Sequence, residues 1–255
     1  MATRDPPRLT HLTLGGIELV SPIYHVGWYW ASDLDTIFDT LHGAYIVSPS
    51  PNCSTHVHVS GTPSPLAAHE LAALAKAALY FEPAVDALVP PPRRGSAAYW
   101  CQSNRDSAAL KMVPLDDCLE ALDHAGSSDR GVVEAMNLCP AASAYGRAHG
   151  KKHDFVRGKV YKWDLSGMLP RTAGGTGLGT VEFRQPPGSL SAAEASGWVM
   201  LALAFVAASV ESGFRVVDGE NGAEPEELWS LLMTGADALG WDDVTGLEGV
   251  FERRR

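Results

Sequence analysis

The chain has 255 residues, which is enough for one large domain with a sizeable apolar core or for two small ones. Apolar residues make up 45% and charged residues 20%, a globular composition that excludes a disordered or collagen-like chain. The formal net charge of -10 argues against nucleic acid as a partner, because a phosphate backbone attracts surfaces rich in lysine and arginine. We expect a single domain over residues 1–255.

The cysteines and the apolar segments indicate a cytoplasmic protein. The four cysteines are widely spaced and form no C-x-x-C motif, so we expect neither a disulfide framework nor a zinc site. The first eight residues lack the apolar region of a secretory signal. The longest apolar stretch, residues 197–210, is shorter than the roughly 20 residues of a membrane span, so it predicts a buried core helix.

The first half of the chain predicts strands and helices in alternation. Apolar spacing indicates a strand over 12–24, ending at a Ser-Pro turn, and a short helix over 33–42. Residues 44–60 predict a strand, a loop and a second strand. A longer helix is expected from Ser64-Pro65 to Val89, where three consecutive prolines must end it.

The second half predicts an irregular segment over 91–112, a helix over 115–125, a strand near 132–138 and a basic loop over 141–158. A strand over 160–165 precedes the glycine run 174–179. This run lacks the Lys-Ser/Thr of a P-loop and comes before a strand, so it predicts a hairpin connection. Ser191-x-x-Glu194 predicts the start of a core helix, and 224–239 predicts a last helix. This order indicates an α+β fold.

Two pairs of polar residues stand two apart in predicted strands, and each pair therefore shares one face. One pair is Glu182 and Arg184, and the other is His56 and His58. A carboxylate beside a guanidinium is either an ion pair closed on itself or part of a site that holds a cation and an anion together. Glu18, His56 and Glu182 form a mixed oxygen and nitrogen set suited to Mg²⁺ or Mn²⁺.

Together with residues 15–22, the segments 54–60 and 180–190 resemble the fungal branch of the amidoligases. These belong to the carboxylate-amine ligase superfamily, with glutamine synthetase and glutamate-cysteine ligase. The resemblance extends, in the same order, to residues 80–90, 103–105 and 159–164. It implies a glutamine-synthetase-like fold, in which helices back an antiparallel-rich sheet.

The resemblance also implies roles for individual residues. The implied metal ligands are Glu18, His56 and Glu182, and His58 is expected to approach the phosphates of ATP. Arg184 is expected to stabilise the transferred phosphoryl group or the acyl phosphate. We add Arg105 as a second catalytic arginine and Lys162 as a further nucleotide contact. Trp163 and Tyr99 are either core residues, the more common role of aromatic side chains, or a surface on which adenine stacks.

The implied reaction is ATP-dependent amide-bond formation between a small carboxylate and an amine through an acyl phosphate. We expect these small molecules, and neither nucleic acid nor a membrane, as partners. The sequence leaves the oligomeric state open, with a homo-oligomer as one alternative. The sequence does not identify the carboxylate, the amine or the pathway.

One feature of the family is missing from the sequence. Family members open with a strand that bears E-x-E, and no such pair precedes Glu18, so we expect this N-terminal strand to be lacking. Asp33, Asp35, Glu82 or a second subunit would then supply the ligands. The alternatives are an amidoligase-like binding or accessory protein and an enzyme that acts without ATP.

Overall fold

The computed structural model describes residues 16–27, 29–139, 158–171, 177–211, 213–214 and 222–253. Within these residues lie eight α-helices and one three-stranded sheet, so the predicted α+β class is confirmed. In chain order the elements are α1 (Trp30–Ala44), β1 (Val57–Val59), α2 (Ala68–Tyr80), α3 (Glu82–Leu88), α4 (Leu115–Ala125), α5 (Asp129–Asn137), β2 (Trp163–Asp164), β3 (Val181–Phe183), α6 (Ala192–Glu211), α7 (Pro225–Ala238) and α8 (Thr245–Glu252). The predictions for 12–15, 141–157 and 174–176 lie outside the described residues.

The sheet has the order β1-β3-β2, and both neighbours run antiparallel to β3. Phe183 is paired with Val57 on one side and with Trp163 on the other. Because side chains alternate along a strand, these apolar residues leave the same face, and all of them are buried in the core. The residues between them leave the opposite face and are polar.

Helix α6 lies at the centre of the helical layer and packs against α1, α2, α7, α8 and β1. Its Phe205 ring stacks on Trp163 of the sheet, with centroids 5.3 Å apart. The predicted start is confirmed, because Ser191 Oγ accepts from the Glu194 N–H at 3.2 Å. In the described part of the chain α6 alone has the length and apolar composition of a membrane span, and its packing is that of a core helix.

Three other helices agree with their predicted positions: α1, α4 and α7. Residues 132–138 were predicted as a strand and instead belong to α5, so that prediction is wrong. Ser128 Oγ accepts from the Gly131 N–H at 3.1 Å and caps the helix. Val132, Val133 and Met136 are fully buried on one helical face, and this tertiary burial outweighs the strand preference of valine.

The single helix expected over 64–89 is two helices, which meet at Phe81. Pro83 lies in the first turn of α3, where a proline is tolerated because it needs no N–H there. The same proline would remove a hydrogen bond from a continuous helix, so the chain turns between α2 and α3. Helix α8 was not predicted from the sequence.

The segment 16–25 was predicted as part of a strand, and in the structure it forms no regular element. None of the described strands pairs with it, so its backbone lacks the ladder that defines a strand. Several apolar side chains of this segment are exposed, including Val20 at 84% and Ile23 at 95%. Glu18 therefore reaches the sheet from an extended segment and not from a strand.

Helices α6 and α7 approach each other most closely at Gly235, where an added β-carbon would overlap the carbonyl oxygen of Ala204. We expect Gly235→Ala to lower the free energy of unfolding by about 1–3 kcal/mol, because the helices must separate to admit the methyl group. Urea denaturation would measure the loss.

Gly43→Ala is the matched control for this change, since nothing lies within 4 Å of the β-carbon position in α1. This control is expected to stabilise the protein slightly, by up to about 1 kcal/mol, through helix propensity. Equal effects of the two alanines would contradict the close approach.

Candidate functional site

The polar face of the sheet carries six residues, two for each strand. One residue of each pair lies within the strand, and the other lies just beyond the end of the strand. In the middle of this face, Glu182 lies between His58 on one side and Asp164 on the other, as their strand pairing requires. Two residues further along each strand a second row follows, made of His56, Arg184 and Lys162. The sheet thus has an apolar face in the core and a charged face outside it.

A cavity of about 290 Å³ opens over this charged face. The structure brings five of the predicted site residues to its walls: Glu18, His56, His58, Glu182 and Arg184. Three further polar residues line it as well: Lys159, Asp164 and Thr180. These five predicted residues therefore share one pocket, while their roles as metal ligands and catalytic groups stay predictions.

Glu182 is the centre of the charge cluster. Arg184 Nη1 donates to Glu182 Oε1 at 2.5 Å, and His56 Nδ1 and His58 Nε2 lie 3.1 and 3.5 Å from the same oxygen. Burial alone would raise the pKa of Glu182, but the hydrogen bond with His56 and the charges of Arg184 and His58 outweigh it and lower the pKa to about 2. Glu182 is therefore ionised at neutral pH.

The lowered pKa makes the contribution of Glu182 to stability depend on pH. In the unfolded chain its pKa is about 4.3, so the stabilisation is complete above that pH and is lost as the pH falls toward 2. The full effect is on the order of 3 kcal/mol.

We therefore expect the difference in unfolding free energy between the parent and Glu182→Gln to shrink between about pH 5 and pH 3. Urea denaturation at several pH values would show it. A difference that is constant with pH would contradict the lowered pKa.

Arg184 is held by its backbone as well as by its side chain. Its N–H donates to Lys162 O at 2.8 Å, and its carbonyl accepts from Arg93 Nη2 at 2.6 Å. The side chain is 8% exposed, and among the described residues the buried Nε has no hydrogen-bond partner. A buried guanidinium with an unsatisfied N–H at a pocket wall suits an anion or an ordered water.

Asp164 is a pocket residue that the sequence analysis did not select. It is 4% exposed, and its Oδ1 accepts from the Ser166 N–H at 2.8 Å and from Ser166 Oγ at 2.5 Å. Burial raises its pKa, the Ser166 hydroxyl opposes this, and the nearby Glu182 raises the pKa further. Lys162-x-Asp164 repeats the spacing of the other two pairs, so this signal was available in the sequence.

The structure places three other predicted residues away from the pocket. Lys162 is 1% exposed, and its Nζ lies 3.0 Å from Glu82 Oε1 and 2.5 Å from Asp86 Oδ1. Arg105 donates to the carbonyl of Val113 at 2.8 Å. Trp163 lies in the core between Phe183 and Phe205, in agreement with the core-packing alternative for this residue.

The acidic residues named as substitute ligands also lie elsewhere. Glu82 is paired with Lys162 and accepts from Ser103 Oγ at 2.8 Å. Asp33, on α1, accepts from the hydroxyl of Tyr24 at 2.7 Å. Asp35 is exposed on the same helix.

The donor atoms of the pocket fit a hard divalent cation whose coordination shell is completed by the substrate. In the described ranges, no group of three or more histidine, cysteine, aspartate or glutamate residues is arranged to hold a metal ion alone. Mg²⁺ is commonly held by one or two carboxylates together with water and substrate phosphates, so it does not require such a group. The carboxylates that line the pocket are suitable ligands for that ion and for Mn²⁺.

Comparison with known proteins gives a family but no individual relative. Residues 6–206 match the family described as "putative amidoligase enzyme", and this range contains all three strands and every predicted site residue. Neither the curated proteins nor the solved structures include a significant match. Since the match covers most of the chain, the predicted resemblance to the amidoligases is confirmed at the level of the family, and the protein belongs to this amidoligase family.

Proposed function

We propose that the protein is an ATP-dependent ligase that joins a small carboxylate to an amine through an acyl phosphate, with Mg²⁺ or Mn²⁺ as cofactor. The observation that carries the proposal is the pocket in which a buried arginine, a buried glutamate and two histidines meet on one face of the sheet. Membership of the amidoligase family supports the ligase class.

The carboxylate must be activated, because an ionised carboxylate is a poor electrophile. Phosphoryl transfer from ATP then needs positioning and neutralisation of charge more than covalent help from the protein. Arg184 is suited to this role because its side chain and its backbone are both held in place, so its charge is pre-organised at the pocket wall. Lys159 adds a second positive charge to the same wall.

Glu18, His56 and Glu182 are the residues that we propose to hold the divalent cation. When bound, this ion would neutralise the phosphate oxygens of ATP. His58, which is half exposed at the pocket, is then in a position to approach those phosphates. Arg105 and Lys162 lie outside the pocket, and we assign them to stabilisation of the fold.

We also propose a cytoplasmic location, with small molecules as partners and no nucleic acid. The support for the location is that none of the four cysteines forms a disulfide and three of them are buried, which suits a reducing compartment. The net charge of -10 supports the exclusion of nucleic acid.

The proposal is tested by ADP release. The purified chain, with Mg-ATP and a panel of small carboxylates, would be assayed with hydroxylamine as the amine, because it converts an acyl phosphate into a hydroxamate that is easily detected. We expect ADP and hydroxamate in equal amounts with at least one carboxylate. ATP hydrolysis that does not depend on any carboxylate would contradict the ligase reaction.

A second candidate is an amidoligase-like binding protein without turnover. It is favoured by one observation, namely that Arg184 and the two histidines already neutralise Glu182 within the protein. Calorimetry distinguishes the two functions. The ligase binds Mg-ATP, whereas the binding protein takes up a small carboxylate in the absence of nucleotide.

A further inference from the structure

Two carboxylates stand directly opposite each other on the charged face of the sheet. Asp164 on β2 pairs with Glu182 on β3, and both residues are more than nine-tenths buried. Like charges directly opposite each other on neighbouring strands destabilise a sheet, and burial increases this effect. Strand pairing alone therefore does not favour placing them opposite each other.

The two carboxylates are not compensated equally. Glu182 has Arg184, His56 and His58 around it, and the hydrogen bond and both close histidine contacts end on Oε1. Asp164 accepts from the N–H and the hydroxyl of Ser166, both at Oδ1, and the charge of the nearby Arg184 also favours its ionised form. Throughout the described ranges, Asp164 Oδ2 has no hydrogen-bond partner, and the side chain lines the pocket.

We infer that Asp164 and Glu182 together form a two-carboxylate site for a hard divalent cation, with Asp164 Oδ2 and Glu182 Oε2 as the ligand atoms. The inference rests on the proposed function for the choice of Mg²⁺ or Mn²⁺. It adds Asp164, a ligand that the set of Glu18, His56 and Glu182 lacks.

The chemistry of the pocket favours this class of ligand. Mg²⁺ and Mn²⁺ prefer oxygen, and Mg²⁺ is often held by two carboxylates while water and phosphate complete its coordination. A cation between the strands would remove the repulsion of the opposed pair and supply the partner that Asp164 lacks. Arg184, on the same face, then remains available for the anionic part of the substrate.

The inference is tested by Mn²⁺ binding in the absence of ATP, measured by electron paramagnetic resonance of the free ion. Asp164→Asn keeps the shape of the side chain and removes its charge, and we expect it to weaken Mn²⁺ binding about tenfold or more. Asp123→Asn is the matched control, because Asp123 is exposed, pairs with Lys76 and lies outside the pocket. Equal affinities of the parent and Asp164→Asn, or no Mn²⁺ binding by the parent at millimolar concentration, would overturn the inference.

A second measurement uses the unmodified chain, in case Asp164→Asn does not fold. Paramagnetic Mn²⁺ broadens NMR signals of nearby nuclei, so substoichiometric Mn²⁺ should first broaden the amide signals of Asp164 and Glu182. Broadening centred on another part of the chain would overturn the site. Mn²⁺ binding at this pair without ADP release would support the inference and contradict the proposed ligase. If Asp164→Asn changes neither ADP release nor Mn²⁺ affinity, the result would support the proposed ligase and contradict the two-carboxylate site.

Discussion

Arg184→Met is expected to lower the rate of ADP release per folded molecule by roughly 10³-fold or more, the scale on which removal of a transition-state arginine acts in phosphoryl transfer. The guanidinium lies at the pocket wall, with one nitrogen on Glu182 and a buried Nε that has no partner in the described part of the chain. Methionine keeps the length and apolar stem of the side chain and removes its charge and all its donors. Single-turnover kinetics with Mg-ATP would measure the loss.

The variant also leaves Glu182 without its closest cation, so stability must be measured alongside activity. Arg184→Lys retains a charge but loses the planar fork, and we expect it to recover stability more than rate. Arg130→Met is a surface control, because Arg130 is exposed and pairs only with Glu134 one helical turn away. An unchanged rate per folded molecule in Arg184→Met would show that the Glu182–Arg184 pair is purely structural.

Lys162→Met is expected to lower the free energy of unfolding by about 3–5 kcal/mol, because it leaves two carboxylates, whose side chains are only 12% and 20% exposed, without their cation. Lys162 Nζ contacts both Glu82 and Asp86, and the ammonium group is shielded from water. Asp86 also accepts from Gln185 Nε2 at 2.5 Å, so we expect the substitution to disturb the segment after β3 that contains Arg184 as well. Urea denaturation at neutral pH would measure it.

Lys76→Met is the matched control, since its partner Asp123 is mostly exposed and surface pairs contribute about 0–1 kcal/mol. Adding Glu82→Gln to Lys162→Met should restore part of the stability, because one buried charge is removed. A Lys162→Met variant of normal stability that binds Mg-ATP weakly would instead support the nucleotide contact expected from the sequence.

The sequence predicted the helices whose apolar residues recur at helical spacing or whose caps are distinctive. Helix α6 followed from Ser191 and the apolar run behind it, and α4 ended at Gly126 as expected. The strand prediction for the segment that forms α5 was wrong. Valine favours strands locally, but the burial of Val132 and Val133 in the core decides the outcome. Strand pairing depends on contacts between segments that are far apart in the chain, so its register could not be predicted.

The same reasoning separates the site residues that were found from those that were missed. Spacing of two in a strand identified His56, His58, Glu182 and Arg184, and all four line one pocket. Asp164 shares this spacing with Lys162 and was not selected, because its pairing with Glu182 across the sheet depends on a strand register that the sequence does not reveal. Lys162 was assigned to nucleotide because its partners Glu82 and Asp86 belong to a helix that precedes it by many residues.

The pairing of β1 with β3 joins parts of the chain that leave the ribosome at different times. His56 and Arg184 touch in the folded protein and are 128 residues apart in sequence. At a synthesis rate of about 5–20 residues per second, β1 waits roughly 6–25 s before its partner strand is made. Nascent chains that end before residue 180 lack the central strand of the sheet, which pairs with both of its neighbours. The pocket therefore cannot form before β3 has been synthesised, when α6, α7 and α8 are still to follow.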